Sequence, residues 1–324
     1  MQIKTGRYHT LLLNNSSVYS CGSSLCGVLG HGPETTQCVA FNRFIFPSSA
    51  PVVQVSASHN HAAFVTQFGE FFTCGDNASC CCGQQDTGRL LFRPKLVEAL
   101  HGILCKQVAT GLSFTMFLTR EGSVYTCGAN THGQLGHGDT VDRPTPKIIV
   151  ALGDPFKRKG VHVVHVSAGD EHVVALDSSG YVYTWGKDYL GVLGHDDEVD
   201  KTIPSFFPPL QVCASKRKTF VLSDAGRVYG FGWMGFGSLG FPDKGASDKI
   251  TRPRVLDSLW GRHIAQVSTG LYHTVVITNR GKIFGFGDNE RAQLGHDSLR
   301  CCPRPTEIFI EDTTDQSGVV QESA

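Results

Sequence analysis

The stretch Ala109–Gly138, ATGLSFTMFLTREGSVYTCGANTHGQLGHG, reads as strand, tight turn, strand and glycine-rich loop. Its first run, Thr115-Met116-Phe117-Leu118-Thr119, and its second, Ser123-Val124-Tyr125-Thr126-Cys127-Gly128, are rich in β-formers. Between them Arg120-Glu121-Gly122 ends on glycine, the residue that a type I turn with a left-handed bulge position requires. The same words recur along the chain. Anchored on a pair of small residues they begin at Thr5-Gly6, Ala57-Ser58, Thr110-Gly111, Ala168-Gly169, Ala214-Ser215 and Thr269-Gly270, spaced 52, 53, 58, 46 and 55 residues apart. A period near fifty built from strands predicts a β-propeller, because one small sheet cannot bury both of its faces alone. Each copy is expected to form one blade.

The turn glycine returns as Gly69, Gly180, Gly226 and Gly281, whereas the first copy places Ser16 there, within Asn14-Asn15-Ser16-Ser17. That turn is expected to be the loosest. Strand runs such as Val173-Val174-Ala175-Leu176 and Val275-Val276-Ile277 are apolar throughout rather than alternating, as in sheets packed on both faces. The second strand closes on VYSCG, FFTCG, VYTCG, VYTWG, VYGFG and IFGFG, so Cys21, Cys74 and Cys127 stand where Trp185, Phe231 and Phe286 stand later. These three thiols are expected in the core, as small hydrophobes.

The pattern of a small pair, G-x-x-H-T, an apolar strand, G-x-V-Y-x-W/C-G and N-x-x-G-Q-L-G-H-G resembles the repeat of the regulator of chromosome condensation family. The resemblance covers residues 3 to 310 and is strongest in Thr5–Thr10, in the whole third copy, and in Thr269–Thr274 with Gly287–His296. It is weakest where Cys80-Cys81-Cys82-Gly83-Gln84-Gln85 replaces the usual loop and where Lys218 replaces the histidine. The resemblance implies an all-β propeller of four-stranded blades, seven in the family. Six copies are present, so the expectation is either six blades or a seven-bladed propeller lacking one copy.

An array of packed blades is one structural unit whatever its length. Residues 1–310 are therefore read as a single propeller domain and residues 311–324, with four acidic and no basic side chains, as a disordered tail. Twenty-nine basic residues balance twenty-nine acidic ones, which gives no general pull toward nucleic acid or anionic membrane. No apolar run approaches the roughly 18 residues of a membrane span, and the first ten residues are not a secretion signal. An intracellular protein, cytoplasmic or nuclear, is expected. Twelve cysteines without a two-residue separation form no zinc ribbon, and the Cys80-Cys81-Cys82 and Cys301-Cys302 runs are expected in loops open to oxidation.

Two sets of histidines repeat: His9, His61, His172 and His273 after the small pair, and His31, His137, His195 and His296 after Leu-Gly. Repetition points to structure, since a catalytic group is needed once and a hydrogen-bonding tether in every blade. There is no G-x-S-x-G elbow, phosphate-cradling G-x-x-x-x-G-K-S/T or H-E-x-x-H, and Gly230–Gly237 lacks the helix that a dinucleotide fingerprint opens. No catalytic residue, cofactor or metal is expected. Asp196-Asp197-Glu198 and Lys157-Arg158-Lys159 read as solvated loop tips.

The positions free to vary for function are the two residues between small pair and histidine. They are Arg7-Tyr8, His59-Asn60, Leu112-Ser113, Asp170-Glu171, Lys216-Arg217 and Leu271-Tyr272. The repeat places all six pairs on one face of the disc, and mixed aromatic, basic and acidic members suit a protein partner. The resemblance implies a non-enzymatic interaction scaffold. The alternative is a guanine-nucleotide exchange factor for a small GTPase, the founding member's activity, with the basic loop Gly153–Gly160 as the insertion. A third reading, the family's plant ultraviolet-B photoreceptor, requires tryptophans at positions that here hold Arg7, His59, Leu112, Asp170, Lys216 and Leu271. Light sensing is not expected.

Overall fold

A computed structural model describes residues 1–24, 26–85, 88–152, 161–195, 202–203, 209–241, 248–295 and 299–309. Its strands form six four-stranded sheets, each a meander in which chain neighbours are sheet neighbours. The blades cover residues 2–43, 52–96, 105–148, 163–203, 209–255 and 264–308, and are numbered 1 to 6 in that order. Among the described residues the only helices are single 3-10 turns such as Glu98–Leu100 and Asp257–Leu259. The first strands of consecutive blades neighbour one another, so they line the axis.

The hairpin turns follow from their sequences. Gly122 has φ +85° and its counterparts Gly69, Gly180, Gly226 and Gly281 are also left-handed, as a bulge turn demands. Blade 1 solves the problem differently. Asn15 (φ 45°) and Ser16 (φ 61°) form a two-residue turn between the paired Asn14 and Ser17, a primed geometry that asparagine tolerates.

The core lies between blades. Five apolar clusters each join two consecutive blades: Leu11 and Leu13 of blade 1 pack on Val55 and Phe64 of blade 2, and Met116 and Leu118 of blade 3 on Val166 and Ala175 of blade 4. The other three join blades 2 and 3, 4 and 5, and 5 and 6. Sheets apolar on both faces are thereby explained.

Polar devices repeat at the same joints. A glutamine on the first strand clamps the backbone of the next blade: Gln54 donates to Val108 O (3.2 Å) and accepts from Val108 N (2.8 Å). Gln107 does the same to Val166, and Gln211 to Val267, while Gln2 spans Val53 O and Val55 N. The first histidine set supplies a second tether. Thr115 spends its hydroxyl proton on Cys81 O (2.6 Å), so His61 donates from Nε2 to Thr115 Oγ1 (2.9 Å). His172 and Thr219 repeat the bond at 3.1 Å, with Thr219 donating to Val192 O. His9 has no such acceptor because Ala62 replaces the threonine, and its Nε2 is buried without a partner. Where Lys218 replaces the histidine, its fully buried Nζ donates to His273 O at 3.0 Å, so the substituted residue still bridges two blades. Burial holds the Lys218 amine well below the ordinary lysine pKa.

The second histidine set acts within a blade. Thr126 meets both Leu135 O (2.8 Å) and His137 Nε2 (3.1 Å), and Ser20 and Thr184 serve His31 and His195 alike. His296 lies outside the described residues, as do Lys157-Arg158-Lys159, Asp196-Asp197-Glu198 and residues 311–324.

Two expectations about cysteines need revision. Cys74 and Cys127 are fully buried, each directed at a carbonyl of the preceding blade, and burial raises both thiol pKa values. Cys21 is only half-buried, because the joint it faces is not filled. Cys81 and Cys82 are buried in their loop, where both sulfurs approach Asp76 O, so that pair is not the open loop the sequence suggested.

Candidate functional site: the face of two-residue loops

Each of the six variable pairs is the two-residue loop of the hairpin between a blade's first and second strands. In five blades one bond closes it, for example Gly6 N to His9 O (2.9 Å) and Gly169 N to His172 O (2.9 Å). A second bond, common to all six, fixes its height. The chain just past the third strand's glycine donates to the carbonyl of the pair's second residue: Ser23 to Tyr8, Asp76 to Asn60, Ala129 to Ser113, Lys187 to Glu171, Trp233 to Arg217 and Asp288 to Tyr272. That glycine is obligatory. A Cβ on Gly128 would lie 2.5 Å from Ser113 O at φ +110°, and the other five are crowded in the same way. The repeat thus holds twelve side chains on one rim while leaving their identity free.

The structure brings together pairs from separate blades. Asp170 of blade 4 lies 3.5 Å from Lys216 of blade 5 and 4.0 Å from His59 of blade 2. Burial lowers the His59 pKa despite Asp170, so His59 is neutral near pH 7 and the contact is polar rather than ionic. Glu171 takes Lys187 at 2.7 Å and His132 of blade 3 at 3.4 Å. Leu112 is tied to this sector through its backbone, donating to Asp170 O at 3.0 Å.

Over blades 5 and 6 the face changes character. Arg217 lies over the rings of Trp233 (5.2 Å) and Tyr189 (5.6 Å). Trp233, Phe236 and Tyr272 contact one another edge-on with centroids 5.3 to 5.9 Å apart. Phe236 is held at φ +57° and the residue is 43% exposed. Phe236 occupies the loop position that His132 occupies in blade 3, and each reaches the second pair residue of the following blade. Arg7 and Tyr8 form a separate cation–π pair at 5.0 Å, with Tyr8 66% exposed. Among the described residues Asn60, Ser113 and Leu271 make no side-chain hydrogen bond, ion pair or ring contact to another pair. Sequence reasoning missed Trp233 and Phe236, which it assigned to a divergent loop. Trp233 instead ends the third strand of blade 5, and the signal was the break in the N-x-x-G-Q-L-G word at Trp233-Met234-Gly235-Phe236.

Elsewhere, among the described residues, Asp288, Glu290 and Cys301 form a cluster whose ligand atoms lie within 4.8 Å of one another. Burial and the two carboxylates raise the Cys301 pKa. No helix among the described residues is long and apolar enough to cross a membrane.

This combination of meander blades, inter-blade clamps and a variable rim defines a repeat propeller. Residues 93–323 match the family model described as RCC1-like domain, and the chain belongs to that family. It is 34% identical over 313 residues to the ultraviolet-B receptor UVR8 of Arabidopsis thaliana, aligning 90% of its own length and 66% of that protein's. It is 31% identical over 306 residues to human E3 ubiquitin-protein ligase HERC2, aligning 94% of its length but 5% of that protein's. The chain therefore spans just under two thirds of one relative and a small part of the other. Among solved structures it superposes on human WBSCR16 with a TM-score of 0.83 at 23% identity, covering 96% of this chain and 83% of that one. Yeast RCC1 (Prp20), in a complex with Kap60, gives 0.82 at 21% identity, covering 97% and 75%. At these identities the likeness is one of fold.

Proposed function

We propose that the chain is a non-enzymatic protein-binding scaffold that engages its partner through the rim of two-residue loops. The observation that carries this reading is the patch over blades 4 to 6, where Tyr189, Arg217, Trp233, Phe236 and Tyr272 meet at the surface. Tyrosine, tryptophan and arginine in rigid clusters are the side chains that dominate binding energy at interfaces. The charged sector around Asp170 and Glu171 supplies the polar flank that sets orientation. The test is a Tyr8→Ala, Arg217→Ala, Tyr272→Ala variant compared with the parent in cross-linking purification from the native cell, followed by affinity measurement on the partner recovered. Loss of about 2 kcal/mol or more, with an unchanged melting curve, supports the rim. Undiminished binding moves the search to the opposite face, around the turns between second and third strands at Gly69, Gly122 and Gly180.

The partner class to test first is a small GTPase. A structure of Prp20p from Saccharomyces cerevisiae is described together with its binding to Gsp1p and histones, and this chain shares its fold. The loop 153–160, expected to act as the insertion in an exchange reaction, lies outside the described residues. Nucleotide release from a GTPase panel separates the readings: acceleration identifies an exchange factor, and binding without acceleration identifies a scaffold.

A further inference from the structure

Strand pairing fixes which side chains stand at corresponding places around the perimeter of the disc. Arg254 of blade 5, Lys95 of blade 2 and Lys147 of blade 3 share one position of the fourth strand, opposite Gly230, Thr73 and Thr126. A cation there belongs to the repeat. Two further arginines near Arg254 do not. In the linker from blade 5 to blade 6, Arg262 N bonds Leu259 O just as Ile103 N bonds Leu100 O between blades 2 and 3, so arginine replaces a half-buried isoleucine. On the fourth strand of blade 6, Glu307 pairs with Phe284 as Ile148 pairs with Tyr125 in blade 3, which puts Arg304 in the place of Thr145.

Arg254, Arg262 and Arg304 line one cavity of about 410 Å³ between the fourth strand of blade 5 (Lys249–Val255) and that of blade 6 (Cys302–Ile308). Two of the three are held by rings. The Arg254 guanidinium lies 4.7 Å from the Phe241 ring centre and that of Arg262 4.5 Å from Phe284. Arg262 is fixed at a second point, donating from Nη1 to Ser258 O at 2.7 Å. Stacking sets the plane of a guanidinium and leaves N–H edges for a ligand. Arg304 makes no side-chain hydrogen bond or ion pair among the described residues. Asp257 is the one carboxylate of the described lining, and it forms an ion pair with none of the arginines. Three arginines less one aspartate leave two positive charges in excess. At the joint between blades 2 and 3 the same positions hold Lys95, Ile103 and Thr145, with Glu98 in the place of Asp257, so cation and carboxylate balance. The glutamine clamp, by contrast, is common to both joints. The framework needs the clamp and not the arginines.

We propose that the perimeter cavity between blades 5 and 6 binds the dianionic phosphate monoester group. Two excess charges match the charge of a phosphomonoester near neutral pH, and its three terminal oxygens accept from several guanidinium forks at once. A carboxylate or a sulfate ester offers one negative charge. The phosphodiesters of a nucleic-acid strand also carry one each, and the exposed ring of the adjoining cavity, Trp260, is already stacked by Arg227 at 5.0 Å, which leaves that face closed to a base. Neighbouring cavities along blade 5 share Arg254 and Arg262 with this one. A phosphate carried on a partner's side chain therefore gains contacts that a free phosphate compound does not. The site is separate from the rim, since it draws on fourth strands and a linker and on none of the variable pairs.

The test titrates the full chain with O-phosphoserine and with serine O-sulfate, at low salt, by calorimetry. The phosphate ester should bind at least about tenfold more tightly. Arg304→Gln should weaken it about tenfold with an unchanged melting curve, because the side chain has no internal partner. Arg304→Lys should recover part of the loss, since it keeps the charge without the fork. Lys95→Gln, at the joint that lacks the arginines, should have no effect. A mixture of ten-residue peptides with a fixed central phosphoserine separates the two sources of the group. Tighter binding than O-phosphoserine assigns the cavity to a phosphorylated partner segment, and equal binding assigns it to a free phosphate compound. Three results overturn the proposal: equal affinity for the sulfate ester, undiminished binding in Arg304→Gln, or preference for an oligothymidylate over the phosphopeptides at equal phosphate concentration.

Discussion

At the joint between blades 2 and 3, Gln54, His61 and the Gly69 carbonyl all find partners on blade 3, and the valine they close over, Val108, is buried. At the far edge of blade 6, Gln266, His273 and Gly281 repeat those residue types at the same positions, and Ile3 across from them stays exposed. The difference teaches that a blade's stability is not written within its own fifty residues. Nearest-neighbour interfaces carry it, as expected for a repeat array, and identical words are strong or weak according to what stands beside them.

The largest contrast should appear at the turn glycines. In Gly122→Val the new Cβ lies 2.5 Å from His162 Cβ and 2.9 Å from Val163 O, in a left-handed backbone that valine resists. The expected loss is about 3 kcal/mol or more. Gly281→Val meets open space and should lose only the backbone component, about 1–2 kcal/mol. Chemical denaturation of the two variants checks this, and equal losses would break the comparison.

A second contrast is in pH dependence. Burial lowers the pKa of His172, which is fully enclosed at its joint, to about 4. The unfolded chain takes up that proton near pH 6.5 and the folded chain does not. The residue therefore has no effect above pH 6.5, and stability falls as pH drops from 6.5 to 4, by on the order of 3 kcal/mol at the end of the window. His172→Gln should flatten that part of the profile, whereas His273→Gln at the open edge should change it less. His9, likewise lowered to about 4 by burial, should behave as His172 does.

Much of this was legible beforehand, and its limits have physical causes. The fifty-residue period, the bulge glycines and the apolar-throughout strands specify blades because each is a local property of sequence. The glutamine clamp was also on the page, in VVQVSA, CKQVAT, PLQVCA and IAQVST. It escaped notice because a polar side chain on a first strand reads as solvent-facing until the neighbouring backbone is placed beside it. The rim positions were legible from hairpin geometry, but the grouping of Phe236 with Tyr272, and of Asp170 with His59, was not, since those contacts join different blades. The exposure of Ile3 and Cys21 was not legible at all, because their words match those that are buried elsewhere.

Cysteine chemistry offers a smaller effect read at single residues. Cys21, Cys74 and Cys127 close the same word in successive blades, but only Cys21 faces the unfilled edge. Under native conditions Cys21 should be alkylated at a rate set by local access, and Cys74 and Cys127 only as fast as the fold opens. Raised thiol pKa values at the two buried positions slow them further. Equal labelling of all three would show that the edge is covered.

The smallest effect is expected on the rim itself. Glu171 pairs with Lys187 and His132 in a setting more than a third open to solvent, where an ion pair gains little over hydration. Glu171→Gln should therefore cost less than about 0.5 kcal/mol, and about 0.5 M salt should leave little difference from the parent. Binding should respond more than stability does, because a charge beside the aromatic patch orients an approaching partner chiefly through the association rate. If Glu171→Gln instead unfolded the protein as Gly122→Val does, the rim would be part of the framework between blades 3 and 4. The assignment of its side chains to recognition would then be wrong.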